Sequence, residues 1–195
     1  MSFILSLVII LGFIVPGLWV VLAGAVLSRE TECFLRQLLV DPSLARATLL
    51  LASAFVLGAM IDSARVVVLD GPIDISRNWY FFLRNFVAGR FRFLRLTQIT
   101  PPVIPRDYLV HLTEKSLPVF QFLIERTQEY YRFNANSFLG IICLIVAKSV
   151  QGQSEGLPLL YCLAALFYFA AFKNRGSTLY AMQQFSRSGD RPIFE

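Results

Sequence analysis

The apolar positions of this chain neither alternate nor recur at helical spacing over long stretches; they run on without a break. Residues 3–27 contain no charged side chain, and about 20 apolar residues rising ~1.5 Å each cover a hydrocarbon core of roughly 30 Å. The pattern therefore predicts a first transmembrane segment. Ala23-Gly24-Ala25 resembles a signal-peptide cleavage site, but no basic stretch precedes the run and the run outlasts a secretory apolar core. The segment is expected to remain as a span. Pro16, Gly12, Gly17 and Gly24 mark positions where it can kink or let another helix approach.

Three more apolar stretches follow, at 47–68, 133–150 and 157–172. The last is short for a span and needs a turn from its flanks or a locally thin bilayer. The polar link 28–46 holds an amphipathic turn at 33–40, and Asp41-Pro42-Ser43 reads as a helix restart. Asp70-Gly71-Pro72 reads as a turn, after which a helix is predicted over 76–96 with Ser76 as its cap. Along it Arg77, Arg84 and Arg95 return to one side, with Arg92 adding charge, while Trp79, Phe82, Leu83, Phe86, Phe93 and Leu94 gather on the other. That is the pattern of an amphipathic helix in the headgroup plane, touching lipid or a packed partner. Pro101, Pro102 and Pro105 make 97–105 an extended connector. Helix is expected to resume near Arg106 and to break or bend at Pro118. From residue 125 to 150 the chain passes without proline from charged to apolar sequence. It reads as one helix whose first part stands in water and whose second part lies in lipid.

Composition turns this pattern into a class. Of 195 residues 56% are hydrophobic and 16% charged, with a mean hydropathy of +0.60, whereas soluble domains carry roughly a quarter charged residues. The expectation is an all-α integral membrane protein with four transmembrane helices, a cytoplasmic helical region that includes the interfacial amphipathic helix, and a long helix extending from the third span. The segments divide as 1–69, a first helical hairpin; 70–132, the cytoplasmic and interfacial region; 133–173, a second hairpin; and 174–195, a tail.

Charge sets the expected orientation. Ten of the 18 Lys and Arg fall between Arg65 and Arg132, and four more follow the last span. By the positive-inside rule both termini and the central region face the cytoplasm, in what we expect to be a bacterial inner membrane. The net charge of +5 suits anionic headgroups or an acidic partner, and nothing indicates nucleic acid directly. Little chain is left outside to receive a large extracellular ligand.

Candidate chemistry is sparse. No glycine-rich phosphate loop or nucleophile elbow occurs, and Cys33, Cys143 and Cys162 lack metal-type spacing. No metal or cofactor is expected. Asp62 and Arg65, three residues apart on the second span, and Arg132, Asn134, Asn136 and Ser137 at the start of the third are the polar groups of the membrane region. If those ends adjoin, Asp62 can pair with Arg132 and the asparagines can bridge helices as an intramembrane polar network.

The only histidine, His111, completes Arg106-Asp107-x-x-x-His111, which resembles the short Arg-x4-6-His signature of HEPN ribonucleases. The resemblance covers six residues and implies that Arg106 and His111 act on a scissile phosphate with Asp107 in support. The leading expectation is non-enzymatic: a homo-oligomeric membrane anchor, sensor or pore subunit that docks a soluble cytoplasmic protein. Its layout is similar to small membrane components of prokaryotic anti-phage systems, a likeness of architecture alone. A membrane-tethered ribonuclease is the alternative.

Overall fold

The computed structural model describes residues 2–40, 43–90 and 117–188. Among them six helices and no strand occur: α1 (Ser2–Leu27), α2 (Arg29–Val40), α3 (Leu44–Val68), α4 (Asp70–Arg90), α5 (Leu117–Val150) and α6 (Leu157–Ser188). Four are long and apolar enough to cross a membrane, over Ile10–Leu27, Leu44–Val68, Thr127–Val150 and Leu157–Ser177. This is the make-up of a membrane protein built from helices.

Several helix ends differ from the sequence reading, each for a local reason. The 28–46 link is mostly helix: α2 occupies Arg29–Val40, and the Thr31 amide donates to the Ser28 hydroxyl at its start. Likewise α3 starts at Leu44, where the Ser43 hydroxyl accepts from the Arg46 amide. α4 begins at Asp70 rather than at Ser76, because Pro72 lies in the first turn, where a missing N–H costs no helical bond. Pro118 likewise occupies the first turn of α5 and does not interrupt it. Lys173-Asn174-Arg175-Gly176 do not end the last helix. α6 runs through them to Ser188, lengthening the fourth span to 21 residues.

The chain divides into two compact units. The first combines Met1–Val67 with Glu129–Ala171. Here α1 and α3 cross backbone to backbone. A Cβ at Gly17 would overlap the Ala54 carbonyl, and one at Gly58 would overlap the Phe13 carbonyl. Because 13 meets 58 and 17 meets 54, the two helices are antiparallel. On another side of α1, a Cβ at Gly140 of α5 would stand 2.7 Å from the Pro16 carbonyl oxygen and 2.9 Å from Trp19 Cβ. Lipid offers helices no hydrophobic reason to associate, so such close approach is what gives van der Waals contact its strength.

Behind the crossing, Ala23, Ile141, Leu144, Ile145, Ala147, Leu160 and Ala164 form the buried cluster, with Phe138 and Phe167 packed on it. The α5–α6 link turns through Gly152 and Gly156, at φ 68° and 75°, a conformation that favours glycine. Lys148 Nζ donates to the Glu155 carbonyl across it at 2.7 Å. α5 is the most enclosed span: 44% of its window is buried, against 22% or less for the others. Large apolar side chains, among them Phe55, Val56, Met60, Leu166 and Phe169, cover the outside. The inside combines the buried apolar cluster with small residues at the helix crossings and the buried polar Asn136 and Ser137.

The second unit combines Val68–Gln128 with Phe172–Glu195. Within it α4 packs against the last part of α6, where Tyr80 meets Phe172 edge to face at 5.9 Å. Leu69, Ile73, Arg77 and Ala88 are buried.

Candidate functional site

α3 turns one face inward at Ala54, Gly58, Ile61 and Arg65, spaced four, three and four. Asp62 stands beside that face, and its carboxylate is the hub of the polar groups in the first unit. It accepts from Arg65 Nε at 3.2 Å, from Arg132 Nη2 at 2.7 Å and Nε at 3.4 Å, and from Asn136 Nδ2 at 3.0 Å. The last three bonds join α3 to α5 across 70 or more residues of sequence. Arg132 also donates Nη1 to Glu129 at 3.0 Å. Asp62 and Glu129 balance Arg65 and Arg132, so the cluster carries no net charge, the condition for holding ions in a low-dielectric region.

Aromatic rings close the cluster from both sides. The Arg65 guanidinium lies 5.2 Å from the centroid of the buried Tyr131 ring, and that of Arg132 lies 5.6 Å from the Phe13 ring of α1. Three spans thus meet at one group of charges. Beside it Asn136 and Ser137 are almost wholly buried, and Asn136 Oδ1 and Ser137 Oγ have no hydrogen-bond partner.

The structure brings Asp62, Arg65, Arg132 and Asn136 together and leaves Asn134 apart, its amide donating to the Tyr130 carbonyl on its own helix at 2.7 Å. Three participants, Glu129, Tyr131 and Phe13, were outside the sequence reading of this network. Glu129 had a signal, since it stands three residues before Arg132 on the same helix. Tyr131 and Phe13 had none, because nothing in an aromatic residue marks the cation it will meet. Chemically, the Asp62 carboxylate places all four of the bonds it accepts on cationic and amide donors of α3 and α5. The arrangement is suited to joining helices. Among the described residues no group of three or more His, Cys, Asp and Glu is placed to hold a metal ion.

On α4 the two faces are covered otherwise than the interfacial pattern suggests. Arg77, expected on a headgroup-facing stripe, is buried, and Arg84 is half-buried. The more exposed side is the apolar one, with Trp79, Phe82 and Phe86 each more than 60% exposed. Inverted amphipathicity is the rule where lipid or a partner meets the apolar face. Arg92, Arg95, Arg106, Asp107 and His111 lie outside the described residues.

Compared with protein-family models, curated proteins and solved structures, the chain matches none. The site's own chemistry carries the functional reading.

Proposed function

We propose that this chain is a membrane-embedded anchor or sensor subunit that assembles with copies of itself and docks a soluble cytoplasmic protein. The observation that supports it is the Asp62–Arg132–Asn136 junction. It ties α3 and α1 to α5, a single helix of 34 residues whose span begins only at Thr127. Ten residues of α5 precede that span, about 15 Å of helix. A force applied to this extension acts on the Arg132 bonds before it reaches the rest of the span. In this reading the junction couples partner binding to span packing, with both termini in the cytoplasm of a bacterial cell. The exposed apolar faces of α3 and α6 are where further copies would pack.

The test is recovery of the intact membrane complex from native membranes with the wild-type chain and with Arg132→Ala combined with Asn136→Leu. The expected result is loss of a co-purifying soluble partner, or of its response, at unchanged membrane insertion. Unchanged assembly and unchanged activity would reduce the junction to a membrane boundary. Ion flux from reconstituted vesicles separates the sensor reading from a pore subunit.

A further inference from the structure

α4 carries its bulkiest side chains on the side it does not bury. Ile73, Arg77 and Ala88 are its buried residues, and Ile75, Trp79, Phe82 and Phe86, spaced four, three and four, fall on the opposite side of the helix. All four are exposed, and the rings of Trp79 and Phe82 meet edge to face at 6.0 Å. The stretch from Ile75 to Phe86 holds two arginines, and neither belongs to this face: Arg77 is buried and Arg84 half-buried. About three turns of helix thus present an apolar surface without a formal charge, flanked by the exposed Asn78.

Two contacts set the depth of this helix. Asp74 accepts from Arg175 Nη2 at 3.2 Å, and Tyr80 meets Phe172 ring to ring at 5.9 Å. Arg175 and Phe172 stand two and five residues before the end of the span Leu157–Ser177, about 3 and 7.5 Å of helix inside it. α4 also begins two residues after the span Leu44–Val68 ends. Its first half therefore lies against the fourth span near the level where hydrocarbon gives way to headgroups. Aromatic rings that face away from α6 at that level meet lipid.

Other occupants fit the face less well. A soluble protein would have to displace lipid to reach it. A second copy would need a close approach of backbones, because helices in lipid associate through small residues. The α1–α3 crossing has Gly17 and Gly58 for this purpose, whereas the α4 face offers one isoleucine and three aromatic rings.

We propose that the Ile75, Trp79, Phe82 and Phe86 face of α4 is immersed in acyl chains beneath the headgroups, and that this contact depends on hydrocarbon and not on lipid charge. It stands whether or not the Asp62 junction couples to a partner.

The chain has two tryptophans, so Trp19→Phe leaves Trp79 as the one reporter. This full-length variant is reconstituted in vesicles of phosphatidylcholine brominated either high on the acyl chains or near their methyl ends. Trp79 emission should fall about twofold with the shallow bromine and less with the deep one, because an in-plane helix sits about 5–10 Å into the boundary of headgroups and acyl chains. Adding phosphatidylglycerol to the brominated vesicles should leave that loss unchanged. Since Trp19 packs against Gly140, the unmutated chain supplies a second measurement. Phosphatidylcholine with a photoactivatable diazirine high on its acyl chain should label the α4 peptide that holds Trp79 as well as the α3 peptide that holds the exposed Met60. Quenching by iodide present on both sides of the membrane, with little by bromine, puts the face in water and overturns the proposal. Resistance to both quenchers, or label on the α3 peptide without the α4 peptide, means that protein covers the face and overturns it equally. A bromine loss that requires phosphatidylglycerol overturns the independence from charge.

Discussion

Replacing Asp62 by alanine removes the acceptor of four hydrogen bonds at once, from Arg65, from Arg132 twice and from Asn136. Two guanidiniums are then left without their shared carboxylate. Stranding one partner of a buried ion pair costs about 3–5 kcal/mol. Here Arg132 keeps 29% of its side chain exposed and is still held by Glu129, which places Asp62→Ala near the lower end, about 3 kcal/mol. Arg132→Ala should cost less, about 1.5 kcal/mol, because Asp62 remains bonded to Arg65 and Asn136. The asymmetry follows from the hub geometry and would not arise from an isolated pair. It is measured by reversible unfolding of the solubilised full chain against SDS, with the double mutant closing a thermodynamic cycle. The coupling energy between the two sites should be about 1–2 kcal/mol. Equal single losses, or a loss below about 1 kcal/mol for Asp62→Ala, would refute the assignment of Asp62 as the shared anion.

Glycine substitutions on α1 should divide sharply. Gly17→Leu must push α1 off α3 at the Ala54 carbonyl and should abolish a stable fold in the same titration, while Gly12→Ala, with nothing within 4 Å of the added methyl, should be neutral or stabilise by up to about 1 kcal/mol. Glu129→Gln keeps one acceptor for Arg132 and should cost under about 1 kcal/mol, measured as a shift in unfolding midpoint. Cys33 lies exposed on α2, whereas Cys143 and Cys162 face outward within spans. A membrane-impermeant maleimide should therefore label Cys33 alone in intact cells if the termini are cytoplasmic, and labelling only after lysis would reverse the orientation.

The spans were legible because hydrocarbon thickness converts directly into a length of apolar sequence. Helix ends were not, since proline is a breaker inside a helix and a neutral residue in its first turn. Pro72 and Pro118 could be placed only once the backbone bonds were known. Gly176 shows the same limit: a helix interior absorbs one glycine at a cost of about 1 kcal/mol. The polar residues Asp62, Arg65, Arg132 and Asn136 stood out as costly in lipid, but their pairing depended on α3 and α5 being neighbours and antiparallel. Periodicity placed Arg77 opposite Trp79, Phe82 and Phe86 yet could not say which face would be covered. That depends on α6, which meets α4 at Phe172 and, continuing through Lys173, again at Arg175.

The cluster at Asp62 also bears on how the chain is made. Each of the two helices brings its own counter-ion: Arg65 follows Asp62 by one turn on α3, and Arg132 follows Glu129 by one turn on α5. Each span can therefore leave the insertion machinery as a locally neutral rod, its charge screened by its own neighbour. Asp62 gains Arg132 only when the later helix arrives, some 70 residues of synthesis after it. Insertion and assembly thereby use the same side chains in succession, first within a helix and then between helices.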